Sequence, residues 1–352
     1  MKDKISIYAL ALEELTKQLV KLGLKKHNAV QIYQWIYQKQ TKIFEQMSNI
    51  AKLNYKILNQ HYYFNHLKMI KKESDAKEDT IKFLFEFHDK QCIETVLMKF
   101  DYGYSVCISS QIGCNMGCKF CASGLLKKKR NLTTDEFVLQ FLEVQNYLVK
   151  KHNVHIKNIV IMGIGEPFDN YDNLKQALNI FNNHYGIGIG NRHITVSTCG
   201  LTPQILQFAK DFPQTNLAIS LHAPTDELRN QLMPINKNYN LSMLIDTVKQ
   251  YIDITNRRVS FEYILLKHIN DSNQHAEQLG KLLKGLLCYV NIIVYNPINK
   301  KEFIPSNRYL IFMEILKKYG VMTTKRLERG IKINAACGQL RALQKNNTKE
   351  KL

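Results

Sequence analysis

Lys157-Asn-Ile-Val-Ile-Met162 runs into Gly163-Ile-Gly-Glu-Pro167, and a helix-period segment follows at 171–182. An apolar run of strand length, a glycine turn and an amphipathic segment make one strand–loop–helix unit. The pattern recurs in both directions. Strands are predicted at 104–109, 157–162, 193–198, 216–222, 259–265, 289–295 and 321–326. Helices are predicted at 134–150, 171–182, 202–210, 225–233, 241–255, 273–285 and 306–319. Thr133-Thr-Asp-Glu136 is a capping-box pattern that opens the first of them. Such alternation predicts an α/β protein with a parallel sheet, either an open doubly wound sheet or a barrel, and six or seven repeats of this spacing favour a barrel, complete or incomplete.

Two shorter regions precede the alternation. Leu10, Leu12, Leu15, Leu19, Val20 and Leu22 recur at helical spacing, and a second run passes through Val30, Ile32, Ile36 and Phe44. Residues 1 to about 75 therefore read as a small helical module, either a cap on the main core or an RNA-binding accessory. Residues 80–100 read as one or two strands. The expected organisation is an N-terminal helical domain over 1–78, linker strands over 79–100, a barrel core over 101–335 and a C-terminal segment over 336–352, frayed beyond Leu343.

The chain has 352 residues, 49 Lys and Arg against 30 Asp and Glu, and a formal net charge of +19. Hydrophobic residues at 45% exclude a disordered chain. The cationic excess points to phosphate-rich partners, beside the plainer reading of a lysine-heavy proteome. No apolar stretch is long enough to span a membrane, and the N-terminus lacks a signal-peptide pattern, so a cytoplasmic place is expected. Eight cysteines in such a chain more often bind metal or do chemistry than form structural disulfides.

Cys114, Cys118 and Cys121 form Cys-x3-Cys-x2-Cys, with Phe120 before the last cysteine. Three thiolates within eight residues can surround one metal centre. Zinc usually takes four ligands, and Cys107 is a candidate fourth; an iron–sulfur cluster held by three would keep one iron open. Met162-Gly-Ile-Gly-Glu-Pro167 fails as a dinucleotide fingerprint, because Phe168 stands where the third glycine would fall. Ser197, Ser220 with His222, and Asn296 lie at the ends of three predicted strands, where parallel barrels carry function. Gly186-Ile-Gly-Ile-Gly190 reads as a loop without a site. Cys92 and Cys288 read as core.

The three-cysteine pattern resembles that of the radical S-adenosylmethionine (SAM) superfamily. Cys107-Ile-Ser-Ser-Gln-Ile-Gly-Cys114, Arg130-Asn-Leu-Thr133, the Gly-Glu-Pro loop, Ser220-Leu-His222 and Ala335-Ala-Cys-Gly-Gln-Leu340 resemble one group within it, the RlmN/Cfr family of radical-SAM RNA adenine methyltransferases, and its RlmN branch most. The resemblance spans roughly 250 residues, from Glu94 to Leu340. It implies a partial (β/α)6 barrel, a four-iron, four-sulfur cluster on Cys114, Cys118 and Cys121, and SAM held by Gly165, Glu166, Ser197, Ser220, Leu221, His222 and Asn296. It also implies two SAM molecules per methyl group. The first methylates Cys337, and the second gives a radical that activates this methyl carbon to add to C2 of an adenosine. Glu94 then accepts the C2 proton, and Cys107 frees the RNA by forming a transient disulfide with Cys337.

The implied substrates are 23S rRNA, at the peptidyl transferase centre, and tRNA, at the adenosine 3′ of the anticodon. An external electron donor and a monomeric enzyme complete the expectation. Relatives usually carry acidic residues where Lys332 and Asn334 stand here, which puts the positioning of this loop in question. Two rivals are a Cfr-type adenine-C8 methyltransferase and a zinc-holding, basic RNA-binding assembly factor.

Overall fold

A computed structural model describes residues 4–77, 79–298, 302–327, 329–336 and 338–340. Its centre is a ten-stranded sheet whose neighbours follow chain order. The strands are β1 (Lys68–Ser74), β2 (Thr80–Glu86), β3 (Cys92–Phe100), β4 (Gly103–Cys107), β5 (Ile156–Ile161), β6 (Ile194–Thr198), β7 (Asn216–Ser220), β8 (Val259–Leu265), β9 (Cys288–Val294) and β10 (Met322–Lys325). β1 to β4 pair antiparallel, and β4 to β10 pair parallel. β1 and β10 are the two edges, so the barrel is open. The parallel strands lie within two residues of their sequence-predicted bounds.

Helices α1 (Leu12–Lys21), α2 (Lys26–Tyr37) and α3 (Lys52–His61) precede the sheet. α4 (Thr134–His152), α5 (Tyr171–Asn182), α6 (Thr202–Asp211), α7 (Asp226–Leu232), α8 (Leu241–Thr255), α9 (Asn273–Leu283) and α10 (Tyr309–Lys318) connect the parallel strands. This is the expected partial barrel with a helical N-terminal part. The helical reading up to residue 75 is corrected: helix ends at His61, and Lys68–Ser74 is a mostly exposed edge strand. It carries no apolar alternation and takes its conformation from pairing with β2.

Local chemistry explains the connections. Thr133 and Glu136 form the expected capping box of α4, and Arg130 grips the Glu136 carboxylate with both terminal nitrogens, at 2.6 and 2.9 Å. The Gly186–Gly190 loop docks the N-terminal helices. A Cβ on Gly186 would lie 2.6 Å from the Tyr33 ring, and the Gln38 side chain donates to the Tyr185 carbonyl.

Gln140 of α4 is fully buried and ties the helix to the chain just past β4. Its amide donates to the Ser109 and Glu136 carbonyls, while its oxygen accepts from the Ser109 N–H and the Thr95 hydroxyl. Gln140→Leu would leave the Ser109 backbone groups buried without these partners. We expect a loss of about 1–3 kcal/mol in unfolding free energy by denaturant titration.

Candidate active site

The carboxyl ends of the parallel strands open into a cleft enclosing about 1200 Å³ of atom-free space, part of it open to solvent. The cysteine loop forms one wall. It leaves β4 through a short antiparallel pair, Gln111–Ile112 against Arg130–Asn131, which the sequence reading did not anticipate. Cys114, Cys118 and Cys121 all line the cleft. The loop is braced from behind: the Lys119 N–H donates to the Leu232 carbonyl at 3.0 Å, and the Ala122 N–H to the Gly338 carbonyl at 2.7 Å.

Burial pushes the Cys114 thiol up to about 12, and the Cys118 thiol well above its ordinary value. Neighbouring sulfurs reinforce both shifts. Such thiols hold negative charge only when a metal centre compensates it. Among the described residues, no three His, Cys, Asp or Glu side chains converge on a site for a single metal ion. Three soft sulfur donors spread around a shared space suit a polynuclear iron–sulfur centre better than a closed zinc site.

The Gly-Glu-Pro loop packs against the cysteine loop. Gly165 has φ of +103°, and a Cβ there would lie 2.6 Å from the Gln111 side chain. Glu166 is buried and accepts the Phe168 N–H at 3.0 Å and the Cys199 N–H at 2.8 Å. Burial outweighs these hydrogen bonds and raises its carboxyl above the usual range. A cationic group brought into the cleft would meet this carboxylate, and the ammonium of an amino acid is one such group.

Ser197, Ser220 and His222 line the same cleft. His222 adopts a left-handed φ of +59°, its Nδ1 accepts the Ile264 N–H at 3.1 Å, and its ring meets Phe120 edge-on at 4.6 Å. Burial, aided by the Arg229 cation, depresses His222 to about 3. Asn296 lies in a smaller adjoining cavity that shares Met98 and Arg326 with the cleft. The Leu221 side chain is fully buried away from the cleft; its carbonyl accepts from Arg229.

Cys107 ends β4, is 8% exposed and lines the cleft. It lies opposite Val96 of β3. Glu94 shares the Val96 and Met98 face of that strand but does not line the cleft. It is buried and pairs with Lys82 at 3.1 Å. Cys337 and the tail beyond Leu343 lie outside the described residues. The neighbours of Cys337, Ala336 and Gly338, line the cleft. Lys332 and Asn334 are both exposed, and Asn334 takes a left-handed φ of +51°, a conformation that asparagine tolerates. Its carbonyl accepts from Lys82 at 3.3 Å, which ties this loop to β2. Cys92 and Cys288 are buried in the sheet, as expected of core.

Three residues at the cleft and behind it escaped the sequence reading, besides Lys82. Glu262 and Arg326 line the cleft and pair at 3.5 Å. A carboxylate inside the apolar strand Val259–Leu265 was a readable signal for the first. Arg229 is fully buried, and its guanidinium donates to the carbonyls of Cys199, Ser220, Leu221 and Tyr239 and to the Asn236 side chain. No sequence pattern marks it.

Comparison with known proteins accords with this geometry. The Radical SAM superfamily profile matches residues 108–279, and the profile of the ribosomal RNA large subunit methyltransferase N-terminal domain matches 5–63. A probable dual-specificity RNA methyltransferase RlmN of Malacoplasma penetrans is 50% identical over 336 residues, 96% of each chain. The protein of that name from Enterococcus faecalis is 46% identical over 355 residues, 99% of each. The crystal structure of a radical SAM methyltransferase from Sphaerobacter thermophilus superposes with a TM-score of 0.90 at 40% identity, covering 96% of this chain and all of that one. Fold and cleft are thus those of a radical SAM enzyme. Within that class, the chain belongs to the RlmN family of RNA methyltransferases.

The His222 geometry sets a pH dependence. Its folded value lies below the unfolded one, near 6.5, so the unfolded chain binds the extra proton. The contribution of His222 to stability should be complete above about pH 6.5 and should decline as pH falls toward 3. A His222→Gln variant should show a flatter stability profile across that window in calorimetry.

Proposed function

We propose that the protein methylates C2 of adenosine in 23S rRNA and in tRNA, by a radical mechanism that passes the methyl group through Cys337. The observation that carries this reading is the shared cleft: three thiols, the Gly165-Glu166 loop, Cys107 and both neighbours of Cys337 border one space. Adenine C2 lies between two ring nitrogens and is electrophilic, so it does not attack a methyl cation donor. A methyl carbon made into a radical can add there.

Cys114, Cys118 and Cys121 would hold a four-iron, four-sulfur cluster, and Gly165, Glu166, Ser197, Ser220 and His222 would hold SAM, with Asn296 beside them in the adjoining cavity; Leu221, buried with its backbone groups paired, would support His222 instead. Bound together, and supplied by an external electron donor, these groups provide the radical that takes hydrogen from a methyl group. The protein's own residues do the rest. Cys337 carries the methyl carbon to the base, Glu94 accepts the C2 proton, and the unpaired electron left on the adduct would pass to a one-electron acceptor such as an oxidised iron–sulfur centre. Cys107 then attacks the Cys337 sulfur: an S–S bond forms, the S–C bond breaks, and the freed carbon takes up the thiol's proton to complete the product's methyl group. His222, neutral at physiological pH, orients the end of β7 as a hydrogen-bond acceptor rather than as a proton donor. The target adenosine must leave its stack to enter, which costs about a few kcal/mol. The +19 charge supplies phosphate contacts that help to offset it.

Two experiments test the reading. Cys114→Ala, Cys118→Ala and Cys121→Ala should each abolish iron binding, brown colour and SAM cleavage after anaerobic reconstitution, while Cys288→Ala keeps all three. Full iron content in any of the first three variants contradicts the cluster assignment. RNA from cells lacking the protein should lose 2-methyladenosine by mass spectrometry. Loss of 8-methyladenosine instead would make the enzyme a C8 methyltransferase.

A further inference from the structure

Lys82 of β2 is buried inside the sheet, an unusual place for an ammonium group. All three of its donors are used. Nζ lies 3.1 Å from Glu94 Oε1, 3.3 Å from Glu73 Oε2 and 3.3 Å from the Asn334 carbonyl. Lys82 stands directly opposite Val96, which stands opposite Cys107, so one cross-strand row runs from the ammonium to the cleft wall. The Asn334 carbonyl belongs to the segment that continues through Ala335 and Ala336 toward Cys337.

We infer that Lys82 is a positioning residue for the proton-abstracting step, holding Glu94 and the segment leading to Cys337 in one fixed relation. The inference rests on the reading of Glu94 as proton acceptor and Cys337 as methyl carrier. In that step the C2 proton passes to a Glu94 carboxylate oxygen, the C–H electron pair stays in the ring, and the unpaired electron from radical addition would leave to a one-electron acceptor such as an oxidised iron–sulfur centre. Lys82 keeps its own proton. When Glu94 becomes neutral, the ammonium still has Glu73 and the Asn334 carbonyl, so the step never strands a buried cation. This explains the second carboxylate, which a simple structural pair does not need. The side chain of Glu73 is about a third exposed, so its own charge persists at little desolvation cost. The Glu94 backbone is pinned as well, because the Ser109 hydroxyl donates to its carbonyl at 2.8 Å.

A merely structural lysine predicts a different outcome. Replacing a buried ion pair member then lowers stability and every catalytic step alike. A positioning role confines the defect to steps after the methyl carbon has joined the RNA. The test uses the reconstituted enzyme with SAM, reductant and tRNA transcript in single-turnover reactions. Three species are followed by mass spectrometry: S-methylated Cys337, the denaturation-stable protein–RNA adduct, and released methylated RNA.

For Lys82→Met we expect Cys337 methylation at the wild-type level, adduct accumulation and at least a tenfold loss of released product, matching Glu94→Gln. Lys82→Arg keeps the charge but spreads its donors in a plane, and should give an adduct level between wild type and Lys82→Met. Should Lys82→Met fail to fold, Lys82→Arg decides: several-fold more adduct than wild type supports the inference, and a wild-type level overturns it. Wild-type release by Lys82→Met while Glu94→Gln traps adduct overturns the inference and leaves the role of Glu94 standing. Loss of Cys337 methylation in Lys82→Met also overturns it, since the lysine would then serve the fold alone. Normal turnover by Glu94→Gln overturns the underlying reading of Glu94, and the inference with it.

Discussion

The Ile164 carbonyl accepts two backbone N–H groups, from Ser110 at 2.8 Å and Gln111 at 3.1 Å, and this joint organises the active face. It fastens the chain entering the cysteine loop to the chain entering the Gly-Glu-Pro loop. Neighbouring bonds extend it: the Gly163 N–H reaches the Ile108 carbonyl, the Ile164 N–H reaches the Ser109 hydroxyl, and the Glu166 N–H reaches the Gln111 side chain. The contact is so close that a Cβ on Gly165 would enter the space of Gln111. Parallel pairing of β4 and β5 brings the two loops to the same end of the sheet, and this zipper sets their spacing. Neither loop is rigid by composition; each takes its shape from the other.

Further ties close the remaining sides. Arg229 gathers the carbonyls at the ends of β6 and β7 and brings a cation behind the cysteine loop. Gly338 and Leu340 line the cleft beside the cysteine loop: the Gly338 carbonyl accepts from Ala122, and the Leu340 carbonyl accepts the Ser123 hydroxyl. Gly338 and Leu340 are thereby fastened to the two residues that follow Cys121, where the chain leaves the cysteine loop.

Much of this was legible in the sequence. The parallel strands announce themselves because each is an apolar run bounded by glycine or polar residues, such as Leu217-Ala-Ile-Ser220. The cysteine spacing and the strand-end Ser197, Ser220 and His222 were readable for the same reason: their meaning is local. β1 was not, because Lys68-Met-Ile-Lys-Lys-Glu-Ser74 has no pattern of its own and becomes a strand only beside β2. Lys82, Arg229 and Arg326 were not, because their roles depend on partners far along the chain, such as Asn334 for Lys82 and Cys199 for Arg229. Glu94 was identified through family likeness; in isolation it is one carboxylate on a strand, and its buried pairing with Lys82 is what sets it apart.

The central claim is that the methyl carbon travels on Cys337 and that Cys107 releases the product. Cys107→Ala isolates that release step, because the preceding steps do not need this thiol. The reconstituted variant, given SAM, reductant and tRNA, is analysed by denaturing gel and by mass spectrometry after nuclease digestion. The account predicts a covalent protein–RNA species, with a nucleotide joined through one carbon to the Cys337 sulfur. Normal release of methylated RNA by Cys107→Ala, or the same adduct formed by Cys337→Ala, would contradict it.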